Sequence, residues 1–167
     1  MKIKLAGLVA DSIVDGPGFR FTIFTQGCPH HCEGCHNPQT HDFNGGRYAD
    51  CDKIIEKIQH NKLTCGVTFS GGEPFCQPEP CAYIAQKLKA MNYHLMAYTG
   101  FEFEKLLEMA EKDRHIMDFL NCLDIIIDGK FDIKQRSLEL KYKGSANQRT
   151  IDVNESIKQG RAVEIEI

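Results

Sequence analysis

Short apolar runs alternate with amphipathic stretches along most of this chain. FRFTIFT (19–25) is dense in aromatic and β-branched residues and predicts a strand that ends at a cysteine-bearing loop. After a polar, glycine-containing loop, ADCDKIIEKIQH (49–60) sets Ile54, Ile55 and Ile58 at helical spacing. GVTFS (66–70) predicts a strand running into Gly71 and Gly72, and EPCAYIAQKLKAM (79–91) a helix whose apolar stripe is Ala82, Ile84, Ala85 and Leu88. HLMAYT (94–99) predicts a third strand stopped by Gly100, and FEFEKLLEMAEK (101–112) a third helix. CLDIIID (122–128) predicts a fourth strand ending at Gly129; its three consecutive isoleucines suit burial on both faces, the habit of a parallel sheet.

This alternation of strand and helix predicts an α/β fold with a mostly parallel sheet. The four strands, with QRTIDV (148–153) and AVEIEI (162–167) as two further candidates, are too few for a closed eightfold barrel. The expected architecture is therefore an open partial (βα) barrel. In such layouts the chemistry collects at the carboxyl ends of the strands. The cysteine loop, Gly71-Gly72-Glu73, Thr99-Gly100 and Asp128-Gly129-Lys130 all fall there. Segment 131–147 is polar and predicts no element. With 167 residues and no internal repeat or linker, the chain reads as one domain spanning 1–167.

Charge and composition narrow the function classes. Lys plus Arg number 20 against 23 Asp plus Glu, a net charge of -3, so there is no basic excess to recruit nucleic acid. The apolar stretch LAGLVA (5–10) is cut off by Asp11, and no other run approaches the length of a bilayer span. A soluble, cytoplasmic protein with neither nucleic-acid nor membrane partner is the expectation. Eight cysteines without an export signal then read as reduced thiols, some of them metal ligands, rather than as disulfides. Cys51, Cys65, Cys76, Cys81 and Cys122 read as small buried hydrophobes or loop thiols. Cys76 and Cys81 flank QPEP, but no second pair at comparable spacing completes a site with them.

The other three, Cys28, Cys32 and Cys35, lie within eight residues of QGCPHHCEGCHNPQT (26–40). A structural zinc ion is one occupant, with a fourth ligand from His30, His31 or His36. Zinc ligands in small sites usually come as two separated pairs, however, whereas one compact loop suits one side of a larger body. A cubane of four irons and four sulfides is such a body. Three thiolates leave its fourth iron without a protein ligand, open to a small molecule binding through nitrogen and oxygen. Gly71 and Gly72 would let main chain approach a ligand closely, and Glu73 offers an acceptor for an ammonium group. Asp15-Gly16-Pro17-Gly18 reads as a tight turn, Arg20 as a surface charge or partner contact, and His30 and His31 as solvated loop residues.

The pattern C-x3-C-x2-C resembles that of the radical S-adenosylmethionine (SAM) superfamily, in which the open iron chelates the methionine end of the cofactor. DGPGFR (15–20), HNPQT (36–40) and TFSGGEPF (68–75) are similar to segments of the activating enzymes for glycyl-radical proteins. The GCPHHCEGCHNPQT form of the loop, DIIIDGKF (124–131) and KGSANQRTIDV (143–153) are most similar to the branch serving anaerobic ribonucleoside-triphosphate reductase.

The resemblance covers nearly the whole chain and implies a shortened radical SAM core. It implies one 4Fe-4S cluster on Cys28, Cys32 and Cys35, and SAM held by Gly34, Cys35, His36, Gly71, Gly72, Glu73, Thr99, Asp128 and Lys130. Asn147 and Arg149 are left between cofactor and partner. Gly34 departs from the superfamily habit of an aromatic before the third cysteine, so adenine contact would fall to main chain at Gly34 and to His36. The implied reaction is reductive cleavage of SAM to a 5′-deoxyadenosyl radical that installs a glycyl radical on the reductase, with reduced flavodoxin or a similar protein as donor. The radical is borne by the cofactor, so no catalytic side chain is required. An activase of the pyruvate formate-lyase type, or a non-catalytic zinc or iron–sulfur module, are the alternatives.

Overall fold

Alternate residues of each strand face opposite sides of one sheet, and helices cover only one of those sides. In the computed structural model, which describes residues 1–167, β2 (Arg20–Thr25) sends Phe21 and Ile23 to the helix side. Val67 and Phe69 of β4 (Gly66–Gly71), Leu95 and Ala97 of β5 (His94–Tyr98) and Ile126 of β6 (Ile125–Asp128) do the same. Against them pack α1 (Cys51–His60), α2 (Pro78–Ala90), α3 (Phe103–Ala110) and α4 (Arg114–Cys122), forming one core of 28 buried residues. The opposite side carries only a small cluster of Met96, Ile125 and Ile127. The three isoleucines of β6 are thus buried on both faces, as a parallel strand requires.

The sheet has seven strands in the order β3-β1-β2-β4-β5-β6-β7 and is open. Its central strands β2, β4, β5 and β6 run parallel. Antiparallel strands border them: β1 (Lys2–Ser12) and β3 (Arg47–Asp50) on one side, β7 (Arg149–Asp152) on the other. Thr25, Gly71, Tyr98 and Asp128 therefore end neighbouring strands at a common rim. No helix is long and apolar enough to cross a membrane.

The four strands and three helices expected from periodicity are present, with ends shifted by a few residues. AVEIEI (162–167) alternates like a strand but pairs only through one isolated bridge between Ile151 and Glu164. Residues 122–124, read as the start of β6, instead complete α4 and its exit. α4 and α5 (Val153–Gln159), β1 and β3 are additions. β1 is irregular, with register shifts after Leu5 and Val9, so only its first half shows a strand period.

Arg20 is not a surface charge. It is buried on the open side of the sheet, and its five N–H donors are all engaged. Nε donates to Thr68 Oγ1 (2.8 Å), Nη1 meets the Pro17 carbonyl and His94 Nδ1 (3.1 Å each), and Nη2 donates to the Val67 and His94 carbonyls (3.0 and 3.1 Å). Thr68 Oγ1 in turn donates to the Asp15 carbonyl at 2.7 Å, so the 15–19 turn is tied to β4 and β5 through one guanidinium.

Candidate functional site

The cysteine loop leaves β2 at Thr25 and closes on itself. Gly27 N donates to the Thr40 carbonyl (2.7 Å) and Cys28 N to the His41 carbonyl (3.1 Å), while Cys35 N reaches back to the Cys32 carbonyl (3.2 Å). Gln26 Nε2 spans its base, donating to the Gln39 and Asp42 carbonyls at 3.1 and 2.7 Å. Held this way, Cys28, Cys32 and Cys35 line one cavity of about 110 Å³ at the strand rim, together with Gly71, Gly72, Thr99 and Gly129. All eight cysteines are free thiols. Burial raises the Cys28 thiol above its ordinary pKa, with Glu73 and Cys32 acting in the same direction.

The glycine pair presses against this loop. Gly71 has φ +97°, and a Cβ there would lie 2.5 Å from the Thr25 nitrogen; a Cβ on Gly72 would collide with the Gly27 carbonyl oxygen. Gly72 N and Glu73 N donate to the Thr25 and Gly27 carbonyls at 2.9 and 2.8 Å. The immediate demand for glycine thus comes from main chain meeting main chain.

Glu73 does not line the cavity with its carboxylate. It is fully buried and accepts from His30 Nε2 (2.7 Å), Thr99 Oγ1 (2.9 Å), Gly100 N (2.8 Å) and Phe75 N (3.1 Å). His30, expected in solvent, is instead packed edge-on to Phe101 with ring centroids 4.6 Å apart. A Cβ on Gly100 would strike its ring, which explains glycine at that position. His31 is exposed, as expected.

The other expected contacts divide. Thr99 lines the cavity, with its hydroxyl turned to Glu73. Asp128 is buried, accepting from Phe103 N at the start of α3 (2.7 Å) and from Arg149 Nε and Nη2 (3.0 and 2.6 Å). Arg149 also bonds Glu104, and these two carboxylates raise the guanidinium pKa still further. Lys130 is exposed and, with Lys105, Asp128 and Arg149, lines a neighbouring cleft of about 650 Å³. Asn147 Nδ2 donates to the Lys130 carbonyl at 2.8 Å. Gly34 (φ +74°) is exposed and lies against Ile133 and Phe131; the His36 ring sits 5.0 Å from that of Phe131.

Phe131, Tyr98 and Gln148 line the thiol cavity and were not picked out from the sequence. For Phe131 the signal was present, an aromatic directly after Asp128-Gly129-Lys130 and the aromatic surface that Gly34 lacks. Gln148 bonds the Gly129 carbonyl and the Gly144 and Ser145 amides, which only the folded loop brings together.

The three thiols share one cavity, and three thiolates carried on one compact loop suit one side of an iron–sulfur cluster. Of the three imidazoles named as a fourth zinc ligand, His30 is bound to Glu73, His36 lies by Phe131, and His31 is exposed with its ring 5.5 Å from that of His41.

Comparison with known proteins agrees. Residues 14–151 match the family described as a 4Fe-4S single cluster domain. The anaerobic ribonucleoside-triphosphate reductase-activating protein of Vibrio cholerae is 33% identical over 145 residues, covering 81% of this chain and 89% of its own. Its counterparts in Escherichia coli K12 (32% over 145 residues; 81% and 90%) and bacteriophage T4 (30% over 142 residues; 81% and 85%) are similarly related. Among solved structures, QueE from Escherichia coli matches with a TM-score of 0.47 and 16% identity over 60% of this chain and 53% of its own, too partial a likeness to bear on function. The chain is thus of the single-cluster 4Fe-4S class, and within it belongs to the family of anaerobic ribonucleoside-triphosphate reductase-activating proteins.

Proposed function

We propose that residues 1–167 act as one cytoplasmic radical SAM domain that installs a glycyl radical on anaerobic ribonucleoside-triphosphate reductase. The observation that carries this reading is the placement of Cys28, Cys32 and Cys35 around one cavity at the strand rim, with no fourth thiol among its lining residues. The chain's family and the names of its relatives support the partner.

Cys28, Cys32 and Cys35 would hold a 4Fe-4S cluster as thiolates. Bound there and reduced, such a cluster would supply the single electron for reductive cleavage of SAM to methionine and a 5′-deoxyadenosyl radical, and hydrogen-atom transfer from a glycine Cα of the reductase would then give 5′-deoxyadenosine and a glycyl radical.

This chain's residues position and enclose. Main chain at Gly71 and Gly72 forms one cavity wall, and Thr99 and Gly129 form another. Glu73, buried behind the cavity, draws His30, Thr99 and Gly100 onto one carboxylate and so ties the two walls to the cysteine loop, a positioning part in place of the ammonium contact expected from the sequence. Asp128 and Lys130 flank the cleft that adjoins the cavity, suited to the cofactor's polar end. Cys35 and Phe131 line the opposite side, with Gly34 and His36 packed next to Phe131 outside the cavity, and the flat Phe131 ring suits adenine. No side chain needs to donate or remove a proton. Excluding water and oxygen from the cavity is the chain's further contribution. Reduced flavodoxin or a similar protein supplies the electron.

The test is anaerobic reconstitution with iron and sulfide, reduction with dithionite in the presence of SAM, and chromatography for 5′-deoxyadenosine. Adding the reductase should then produce the electron paramagnetic resonance doublet of a glycyl radical. A protein that binds zinc or a cluster and forms no 5′-deoxyadenosine would refute the reading.

A further inference from the structure

Strands β6 and β7 pair antiparallel in a register that sets Ile125 against Asp152, Ile126 against Ile151, Ile127 against Thr150 and Asp128 against Arg149. The main-chain ladder ends there, because Gly129 leaves the extended conformation at φ +96°. The register itself continues. Two residues further on it sets Gly129 against Gln148 and Lys130 against Asn147, and side-chain amides stand in for the missing rungs. Gln148 Nε2 donates to the Gly129 carbonyl at 3.0 Å, and Asn147 Nδ2 to the Lys130 carbonyl at 2.8 Å. Arg149, on the last main-chain rung, directs Nε and Nη2 to the two oxygens of Asp128 (3.0 and 2.6 Å). Consecutive side chains 147–149 thus hold the consecutive residues 130–128, one for one.

The turn they hold has little else to fix it. Gly129 carries no side chain, and a Cβ there would meet nothing nearer than 3.8 Å, so packing does not pin it. Its place is nevertheless central: Gly129 lines both the thiol cavity and the adjoining cleft, and Asp128 and Lys130 line the cleft beside it. We infer that Asn147, Gln148 and Arg149 are positioning residues that fix the 128–130 turn in the geometry in which it receives the polar end of the cofactor. The inference rests on the proposed function. It assigns Asn147 and Arg149, left between cofactor and partner by the sequence, to the cofactor side, acting through the turn.

Two observations favour action through the turn over direct contact or a purely architectural part. First, the polar groups concerned are largely engaged within the chain. Gln148 Oε1 accepts from Gly144 N and Ser145 N (2.8 and 3.2 Å), and Arg149 also gives Nη1 and Nη2 to Glu104 (3.1 and 2.7 Å), which leaves them little to offer a ligand. Second, the sheet does not depend on the two amides. β6 and β7 are already joined by their main-chain ladder, with Ile126 and Ile151 in the core, whereas Gln148 and Asn147 bond residues beyond its last rung. Holding a glycine turn in its binding geometry lowers the ordering cost that a ligand would otherwise bear.

The test compares Asn147→Ala and Gln148→Met with wild type. Gln148→Met keeps the length of the side chain and removes both of its hydrogen-bonding ends. In reconstituted protein without reductase, each should raise the KM for SAM in 5′-deoxyadenosine formation by about three- to tenfold, the worth of one neutral hydrogen bond, with little change in kcat and the same iron and sulfide content. Arg149→Lys keeps the charge but cannot span both Asp128 oxygens, and should raise KM as well. In the metal-free chain, nuclear spin relaxation should give the Gly129 and Lys130 amides order parameters near about 0.85 in wild type and below about 0.6 in the two amide variants. A wild-type KM in both amide variants would overturn the inference. So would a lowered thermal midpoint with unchanged KM and order parameters, which marks a purely architectural role, or an unchanged KM with weakened reductase binding, which marks a partner contact. Failure of the wild type to form 5′-deoxyadenosine would refute the proposed function, while the relaxation measurement, which needs no cluster, would still decide whether the amides hold the turn.

Discussion

His30 Nε2 stands 2.7 Å from Glu73 Oε1, with the two side chains 6% and 0% exposed, and this contact joins the cysteine loop to the turn after β4. Thr99 and Gly100, at the end of β5, bond the same carboxylate, so three rim segments meet at one buried group. Glu73→Ala removes every one of these bonds and leaves their donors without partners. Hydrogen bonds to charged groups contribute about 1.5–3 kcal/mol each when buried, so a loss of stability of at least about 3 kcal/mol is expected. Urea denaturation of the metal-free protein measures it. His30→Ala, which spares the other bonds, should cost about half as much.

The ligand assignment predicts a sharp division among cysteines. Cys28→Ala, Cys32→Ala and Cys35→Ala should each abolish SAM cleavage and lower the iron and sulfide content of reconstituted protein. Cys51→Ala and Cys122→Ala, buried in the helix-side core, should retain both. Turnover surviving in any of the first three would overturn the assignment.

Gly72→Ala should act on the cluster loop rather than directly on cofactor. The new methyl would meet the Gly27 carbonyl and lie 3.0 Å from the Thr40 oxygen, displacing the loop that carries Cys28. Gly71→Ala adds backbone strain at φ +97°, of order 1–3 kcal/mol. Both variants should show reduced iron content after identical reconstitution. A full complement of iron with selectively weakened SAM binding would point instead to direct cofactor contact.

His94 predicts a pH dependence of stability. Burial, and then the Arg20 charge, hold its pKa below the ordinary 6.5; Asp124 opposes and Lys89 reinforces this. The folded state therefore binds fewer protons than the unfolded state once pH falls below 6.5. Stability is fully present above that value and declines as pH drops toward the depressed folded pKa, where the imidazolium would face Arg20 Nη1 at 3.1 Å. His94→Gln should flatten this part of the profile. Thermal midpoints between about pH 7 and pH 5 check it.

Much of this molecule was legible in the sequence because its signals are local. Strand β6 announces itself by three isoleucines, and the rim positions of the cysteine loop, Gly71-Gly72 and Asp128 follow from where strands end. β1 was hidden because its register shifts break the alternation, and β3 because a four-residue edge strand buries almost nothing. α4 carried a usable cue in Asp113, which caps it by accepting from His115 N at 3.0 Å ahead of Ile116, Phe119 and Leu120. The site's buried bonds were illegible for a different reason. His30 and Glu73 are 43 residues apart, and Arg20 and His94 are 74 apart. A polar residue in a loop looks solvated until the fold supplies its partner, which misplaced both His30 and Arg20.

The proposed function requires three thiolates to hold a cluster whose remaining iron binds SAM. Electron–nuclear double resonance on the reduced, reconstituted protein addresses it directly, with SAM isotopically labelled at its amino nitrogen and carboxylate oxygens. Hyperfine coupling from the cluster to both labels is the predicted result. A reduced cluster whose spectrum is the same with and without cofactor and shows coupling to neither label, or a protein that takes up zinc in place of iron, would contradict it.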